Sequence, residues 1–363
     1  MNLKSIAPVT VFALVVLLLL ALPSVAAADE PADKNASYRS QLDANGKALY
    51  DAVKEADAET FELTVVLPMP ITAKNADPTL ESTRSDLADA VNMTWERTRY
   101  ALWVAEPMAI WFWHGSDPRL DDTITFTISN ETCAVSQITL KLDLTEDCPY
   151  QDDPSTADVN ERQQKIDAVM KAVGDFESAS TDVRGKVGDI NRYLVDNVTY
   201  DPNFKDGAKS SPYDHDAYGA LVDNDDGKRY AVCEGYAKAF QLLADKLGIP
   251  CMTVFGTATP SLEAHAWNYV KMDNGNWYAV DSTWNDSKGN AYLLVGYETF
   301  FQDHQQGTLG FSGEVMPFNY PKLSDIKYDD DPRDYMQYSW VAYAVIGAII
   351  VAALYTMVRR GSN

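Results

Sequence analysis

The chain has 363 residues, 46% hydrophobic and 11% aromatic, enough for one large domain or two small ones with real cores. Its formal net charge is −23, from 53 acidic against 30 basic side chains. Such a surface repels phosphate backbones and argues against nucleic acid as a partner.

Both ends carry membrane signals. Residues 1–28 hold a lone Lys4, the apolar run "APVTVFALVVLLLLAL" and the small-residue stretch "PSVAAADE", the pattern of a secretory signal peptide cut near 26–28. An uncleaved anchor is the alternative. Residues 339–358, "SWVAYAVIGAIIVAALYTMV", are uncharged and long enough to cross a hydrocarbon core of ~30 Å. Arg359 and Arg360 follow, so the positive-inside bias places a tail, 359–363, in the cytoplasm. The bulk of the chain is then outside the cell membrane, on a single-pass tether.

In chain order, 38–58 reads as a helix, "TFELTVVLPM" as a strand, and 82–107 as a helix carrying Leu87, Val91, Trp95 and Ala101 at helical spacing. "AIWFWHGS" is an aromatic patch that suits core packing. "DDTITFTISN" and "CAVSQITLKLDL" alternate as a strand pair. "DDPST" breaks the pattern near 152–156, before two helices that end near 200. Residues 198–227 are polar, irregular and too long for a mere connector, so they are expected to cross a functional face. "DNDDG" within them lacks calcium-loop spacing and reads as a solvated acidic turn.

The four cysteines are Cys133, Cys148, Cys233 and Cys251. A strand pattern separates the first two and a helix of ~22 Å the second two, so neither pair is well placed to bridge. Cys233 is expected to be a free thiol. Asn-x-Ser/Thr sequons occur at Asn35, Asn92, Asn130, Asn197 and Asn285, a weak signal.

"YAVCEGYAKAFQLLADKLGIP" places Cys233 where an apolar helix begins and Gly248 where it stops. The helix is apolar on most sides. Its first turn leaves N–H groups unpaired with a partial positive charge, which favours an anionic sulfur beside it. A small core residue fits the same position. "CMTVFGTAT" follows as a strand, and "EAHAWNYVKMDNGNWYAVDSTWND" as a hairpin with "DNG" at its tip. His265 lies on the first strand of that hairpin and Asp281 on the second. A two-residue Asn274–Gly275 loop would put them on opposite faces. A three-residue loop, 273–275, would set Asp281 opposite Trp267, diagonal to His265 and on its face. That loop wants a left-handed last residue, which Gly275 supplies. In this register Cys233 is a nucleophile, His265 its base and Asp281 the anion that orients the imidazole. Taken singly, His265 fits a satisfied core histidine and Asp281 a turn-capping carboxylate.

"YGALVD…VCEGYAKAFQLLADKLGIPC…HAWNYVKM…WYAVDSTWND" resembles the transglutaminase-like superfamily over roughly 185–300. The resemblance implies an α+β, papain-like transglutaminase-core fold. It also implies Cys233, His265 and Asp281 as the catalytic trio. "LVDNDDGKRYAVC" is longer than the family pattern before the cysteine. The expected organisation is 1–28 signal peptide, 29–152 N-terminal α/β region, 153–320 catalytic domain, 321–338 stalk, 339–358 transmembrane helix and 359–363 tail.

The backbone N–H of Cys233 is the natural oxyanion donor, with Tyr218 a candidate second. Trp267 and Trp284 are candidate walls of the cleft, or core aromatics. His114, His215 and His304 show no partner pattern and are treated as structural or solvated. A metal at Cys233 and His265 is disfavoured because no further Cys or His is expected nearby, and no cofactor is implied. The expected chemistry is acyl transfer through a thioester, with a protein or peptide substrate outside the cell. Peptide or isopeptide hydrolysis is favoured slightly over cross-linking. The rival reading is a surface binding module on the same fold that lacks turnover.

Overall fold

The computed structural model describes residues 37–57, 60, 62–73, 77, 79–108, 124–129, 133–141, 156–204, 211, 213–307 and 318–330. The chain divides into two units, Met1–Lys34 and Asn35–Asn363, and the first lies outside the described residues. So do the boundary at 151–155 and the apolar segment 339–358. Among the described residues no helix is long and apolar enough to cross a membrane.

In the N-terminal region, Asp43 caps α1 (Ala44–Lys54), its Oδ1 accepting from the Gly46 N–H at 2.7 Å. β1 (Glu62–Thr72) and, after α2 (Glu81–Ala105), β2 (Ile124–Ser129) and β3 (Ala134–Lys141) form an antiparallel sheet with β3 in the middle. The expected strand pair is thus present. Leu87, Val91, Trp95, Thr98 and Leu102 recur every three or four residues along α2 and are all buried. They close a core with Leu49 and Val53 of α1 and Val135 and Ile138 of β3.

The second region opens with α3 (Thr156–Asp175) and α4 (Val183–Asn197), the latter capped by Asp182. β4 (Val198–Tyr200) then pairs in parallel with β5 (Arg229–Ala231), setting Tyr200 beside Ala231. α5 (Ala217–Leu221) lies between them in the chain. The central helix α6 (Cys233–Lys246) is buried almost all round, through Tyr236, Ala237, Ala239, Phe240, Leu243 and Ala244. Glu234, Lys238 and Gln241 of this helix are buried too, and each has a partner. Glu234 accepts from the Trp103 indole at 3.0 Å and pairs with Lys238 at 2.7 Å; Lys238 also lies 3.5 Å from Asp216. Burial raises the Asp216 carboxyl to about 6 against the lowering effect of Lys238.

α6 packs on an antiparallel sheet ordered β8 (Trp277–Val280), β7 (Glu263–Lys271), β6 (Cys251–Ala258), β9 (His304–Gln306). The β7–β8 turn takes the three-residue form. Lys271 pairs with Trp277 and Asn268 with Val280, the Gly275 N–H donates to the Met272 carbonyl, and Gly275 has φ +83°. The second arm is shorter than expected. It stops at Val280, and α7 (Ser282–Lys288) begins where the sequence reading continued a strand.

β9 reaches only Gly256, Thr257 and Ala258 of β6. A Cβ on Gly256 would lie 2.1 Å from the Gln305 carbonyl oxygen and 2.5 Å from the Trp267 ring, so only glycine lets the strands meet. Beyond β9 the outer edge of β6 is covered by other means. Thr253 donates its N–H to Gln241 at 3.0 Å, and its carbonyl accepts from the Tyr38 hydroxyl at 2.7 Å. Gln241 in turn donates to the Ala105 carbonyl at the end of α2. The N-terminal region therefore seals a strand edge that would otherwise be open.

Candidate active site

Cys233 is the first residue of α6, half-buried and free of any disulfide. The preceding Val232 offers no side-chain acceptor to the first-turn N–H groups, which leaves them for an incoming anion. Cys251 is also a free thiol, but burial and then the charge of Asp245 push it well up. The two sulfurs sit at opposite ends of α6, as expected.

His265 and Asp281 meet. His265 Nε2 lies 2.8 Å from Asp281 Oδ2, with His265 7% exposed and Asp281 fully buried. The three-residue turn makes this possible by keeping both side chains on one face. Burial on its own lowers the His265 pKa. The charge of Asp281, the hydrogen bond to it and the interaction with the Cys233 thiol outweigh that and raise it to about 10. With Nε2 occupied, Nδ1 is the ring nitrogen left for the thiol. Burial raises Asp281, but the charge of His265 and hydrogen bonds from His265, His304 and the Trp284 N–H bring it down to about 2.

Asp281 is not a strand residue. It is the N-cap of α7, and its Oδ1 accepts from the Trp284 N–H at 3.0 Å. The capping reading and the imidazole-orienting reading hold together, one carboxylate oxygen serving each. α7 is pinned to α4 through Asn191, whose Oδ1 accepts from Ser282 at 3.0 Å and from Asn285 at 2.9 Å. Asn285 is thereby buried and committed, so its sequon is no acceptor in the folded chain. Asn92 and Asn197 are exposed.

The other two described histidines have partners that no sequence pattern marked. His304 is neither solvated nor unpartnered: its Nε2 lies 3.1 Å from Asp281 Oδ2 and its Nδ1 2.8 Å from Asp303 Oδ1. His215 Nδ1 pairs with Asp214 Oδ1 at 2.5 Å. Burial lowers the His215 pKa, but that hydrogen bond and the charges of Glu234 and Asp214 leave it raised. His114 lies outside the described residues.

Trp267 is 1% exposed and packs on Phe300 and His304, each 5.3 Å away, so it backs the site rather than lining an open wall. Trp284 is half-buried, 5.5 Å from the His265 ring. Tyr218 packs edge-to-face on Tyr213 at 4.9 Å. A second tyrosine senses the thiol. Tyr200 enters beside Ala231, and its phenol is raised by burial and then by the charge of Cys233. No sequence signal marks it, because three-residue parallel strands show no periodicity.

His265, Asp281 and His304 each offer a donor atom within 4.8 Å of the others, the spacing of a possible cation site among the described residues. The expectation that no second histidine is near is thus overturned. Both Nε2 atoms already point at the same carboxylate oxygen, so a cation would have to displace two hydrogen bonds. The trio stands as a hydrogen-bonded network.

Helix-start thiol, strand imidazole and capped carboxylate form an arrangement that can support acyl transfer through a cysteine. Residues 170–282, which contain all three, match the family model of the transglutaminase-like superfamily, so the chain carries a transglutaminase-like domain there. The kyphoscoliosis peptidases of Homo sapiens and Mus musculus are similar, 34% and 33% identical over 86 residues. Each match covers 20% of this chain and 13% of the relative, so the chain spans a small part of those proteins. Among solved structures, a TGase aligns with 20% identity and a TM-score of 0.27, over 44% of this chain and 43% of that one. The periplasmic domain of TgpA from Pseudomonas aeruginosa bound to ethylmercury aligns with 14% identity and a TM-score of 0.23, over 44% and 62%.

Proposed function

We propose that the protein is a membrane-tethered thiol enzyme that transfers acyl groups through a thioester on Cys233. The observation that carries this reading is the buried His265–Asp281 pair acting on a sulfur at an uncapped helix start. The Cys233 sulfur attacks an amide carbonyl carbon, and His265 holds the thiol proton as an imidazolium steadied by Asp281. The carbonyl oxygen becomes an oxyanion facing the Cys233 N–H. Collapse breaks the carbon–nitrogen bond, and His265 gives its proton to the leaving amine. A second nucleophile, deprotonated by the neutral His265, attacks the thioester and returns the thiol.

Water as that nucleophile gives a peptidase or isopeptidase, and a lysine amine gives a cross-link. The similar curated proteins are named peptidases, which supports hydrolysis as the favoured outcome. The apolar run at 339–358, followed by Arg359 and Arg360, supports a single-pass tether with the domain outside the cell. Full-length protein incubated with labelled peptides and a primary amine tests the reaction. Cleavage dependent on Cys233 is expected; amine incorporation without cleavage would reverse the preference. A Cys233 that alkylates no faster than in the denatured chain would favour the binding-module reading.

A further inference from the structure

His304 opens β9 and is 2% exposed. Its ring is clamped: Phe300 stacks on it at 3.9 Å with an interplanar angle of 18°, and Trp284 lies 4.3 Å away. The clamp fixes where both nitrogens point. Nδ1 meets a carboxylate oxygen of Asp303, and Nε2 meets the Asp281 oxygen that His265 also uses. Asp303 is itself held by the Tyr292 hydroxyl, which donates to its other oxygen. Carboxylate oxygens only accept. A neutral imidazole has one N–H, so one of the two contacts would set lone pair against lone pair. With Asp281 and Asp303 both ionised, only a ring protonated on both nitrogens satisfies both.

Building on the thiol-enzyme reading above, we infer that His304 is a positioning residue: a cationic second imidazole that locks the Asp281 carboxylate and offsets part of the charge it presents to His265. Three bonds then fix the carboxylate, from the Trp284 N–H on Oδ1 and from His265 and His304 on Oδ2. The offset matters because a base works best when its imidazolium can still release a proton. An Asp281 charge devoted wholly to His265 would hold that proton too tightly. The other ionisable groups packed against His304 are His265, with ring centroids 5.6 Å apart, and Tyr292 at 5.4 Å; Lys288 is held over the Trp284 ring, its ammonium 3.5 Å from the centroid. Lys288 is outside the hydrogen-bonded network and cannot replace a donor to Asp281.

The test needs no known substrate. Iodoacetamide alkylation of Cys233 in the detergent-solubilised full chain is followed against pH by peptide mass spectrometry. Wild type is compared with His304→Phe, which keeps the stacked ring without either donor, and His304→Gln, which keeps one donor without charge. Removing a cation raises the pKa of every neighbour. Both limbs of the reactivity profile should therefore move to higher pH by ~1 unit or more in both variants. The maximal rate should fall about 10-fold in His304→Phe and be partly restored in His304→Gln. A profile that stays in place while the rate drops would mark a purely structural role and overturn the inference. Imidazole ¹⁵N shifts of the wild-type chain give a check that needs no variant to fold. Both His304 nitrogens should carry a proton in the folded chain, and a single N–H would overturn the inference. If wild-type Cys233 were no more reactive than in the denatured chain, the enzyme reading would fail first and carry this inference down with it.

Discussion

Asp281 shows how much one buried carboxylate can do. One oxygen caps α7 and the other holds His265 and His304. Asp281→Asn keeps an oxygen for the Trp284 N–H but removes the charge that steadies the imidazolium. Peptide turnover and Cys233 alkylation at neutral pH should fall by ~10²-fold or more with little loss of α7, measured by kinetics beside circular dichroism. The same pair predicts how stability depends on pH. His265 is raised from 6.5 to about 10, so its contribution is complete below 6.5 and is lost as pH climbs through about 10. Asp281 is lowered from 3.8 to about 2, so its contribution is present above 3.8 and is lost as pH falls towards about 2. The melting temperature of wild type should therefore decline between pH 6.5 and about 10 more steeply than that of His265→Gln. Parallel slopes would disprove the ion pair.

At the scale of elements, α6 and the β6–β7–β8 meander position the site, and each depends on a few residues. Lys238 lies between Glu234 and Asp216 at 1% exposure, one turn beyond Glu234. Lys238→Met would strand two buried acids and should cost ~3–5 kcal/mol in urea denaturation. Adding Glu234→Gln should recover part of that loss, since one stranded charge is then gone. Gly256 governs the β6–β9 contact that delivers His304. Gly256→Val would drive a side chain into the Gln305 carbonyl and Trp267, with an expected cost of ~1–3 kcal/mol and a drop in Cys233 reactivity. Unchanged reactivity would show that β9 need not sit where it does for the thiol to work.

Across the whole molecule, the N-terminal region works as an edge cover for the sheet that carries His265. Tyr38 reaches Thr253 across 215 residues, and Gln241 bridges Thr253 to the end of α2. Tyr38→Phe would leave a buried carbonyl unpaired and should destabilise the fold by ~1–2 kcal/mol without touching the site, as read by chemical denaturation. Trp103 makes a second join by donating to Glu234 beside the thiol. The N-terminal region is thus built into the support of α6.

What the sequence could determine by itself was whatever a short window encodes. The 3.6-residue period exposed α2 and α6, the strand alternation exposed β2 and β3, and Gly275 selected the turn that brings His265 and Asp281 to one face. Those signals are local, because backbone geometry and side-chain direction repeat within a few residues. Only the tertiary structure decided the surroundings. Asp281 left its strand to cap a helix, Tyr200 came to the thiol through a three-residue parallel pairing, and His304 reached Asp281 on a three-residue edge strand. Segments so short carry no periodicity, and buried hydrogen-bond valence is settled only when distant parts of the chain pack together.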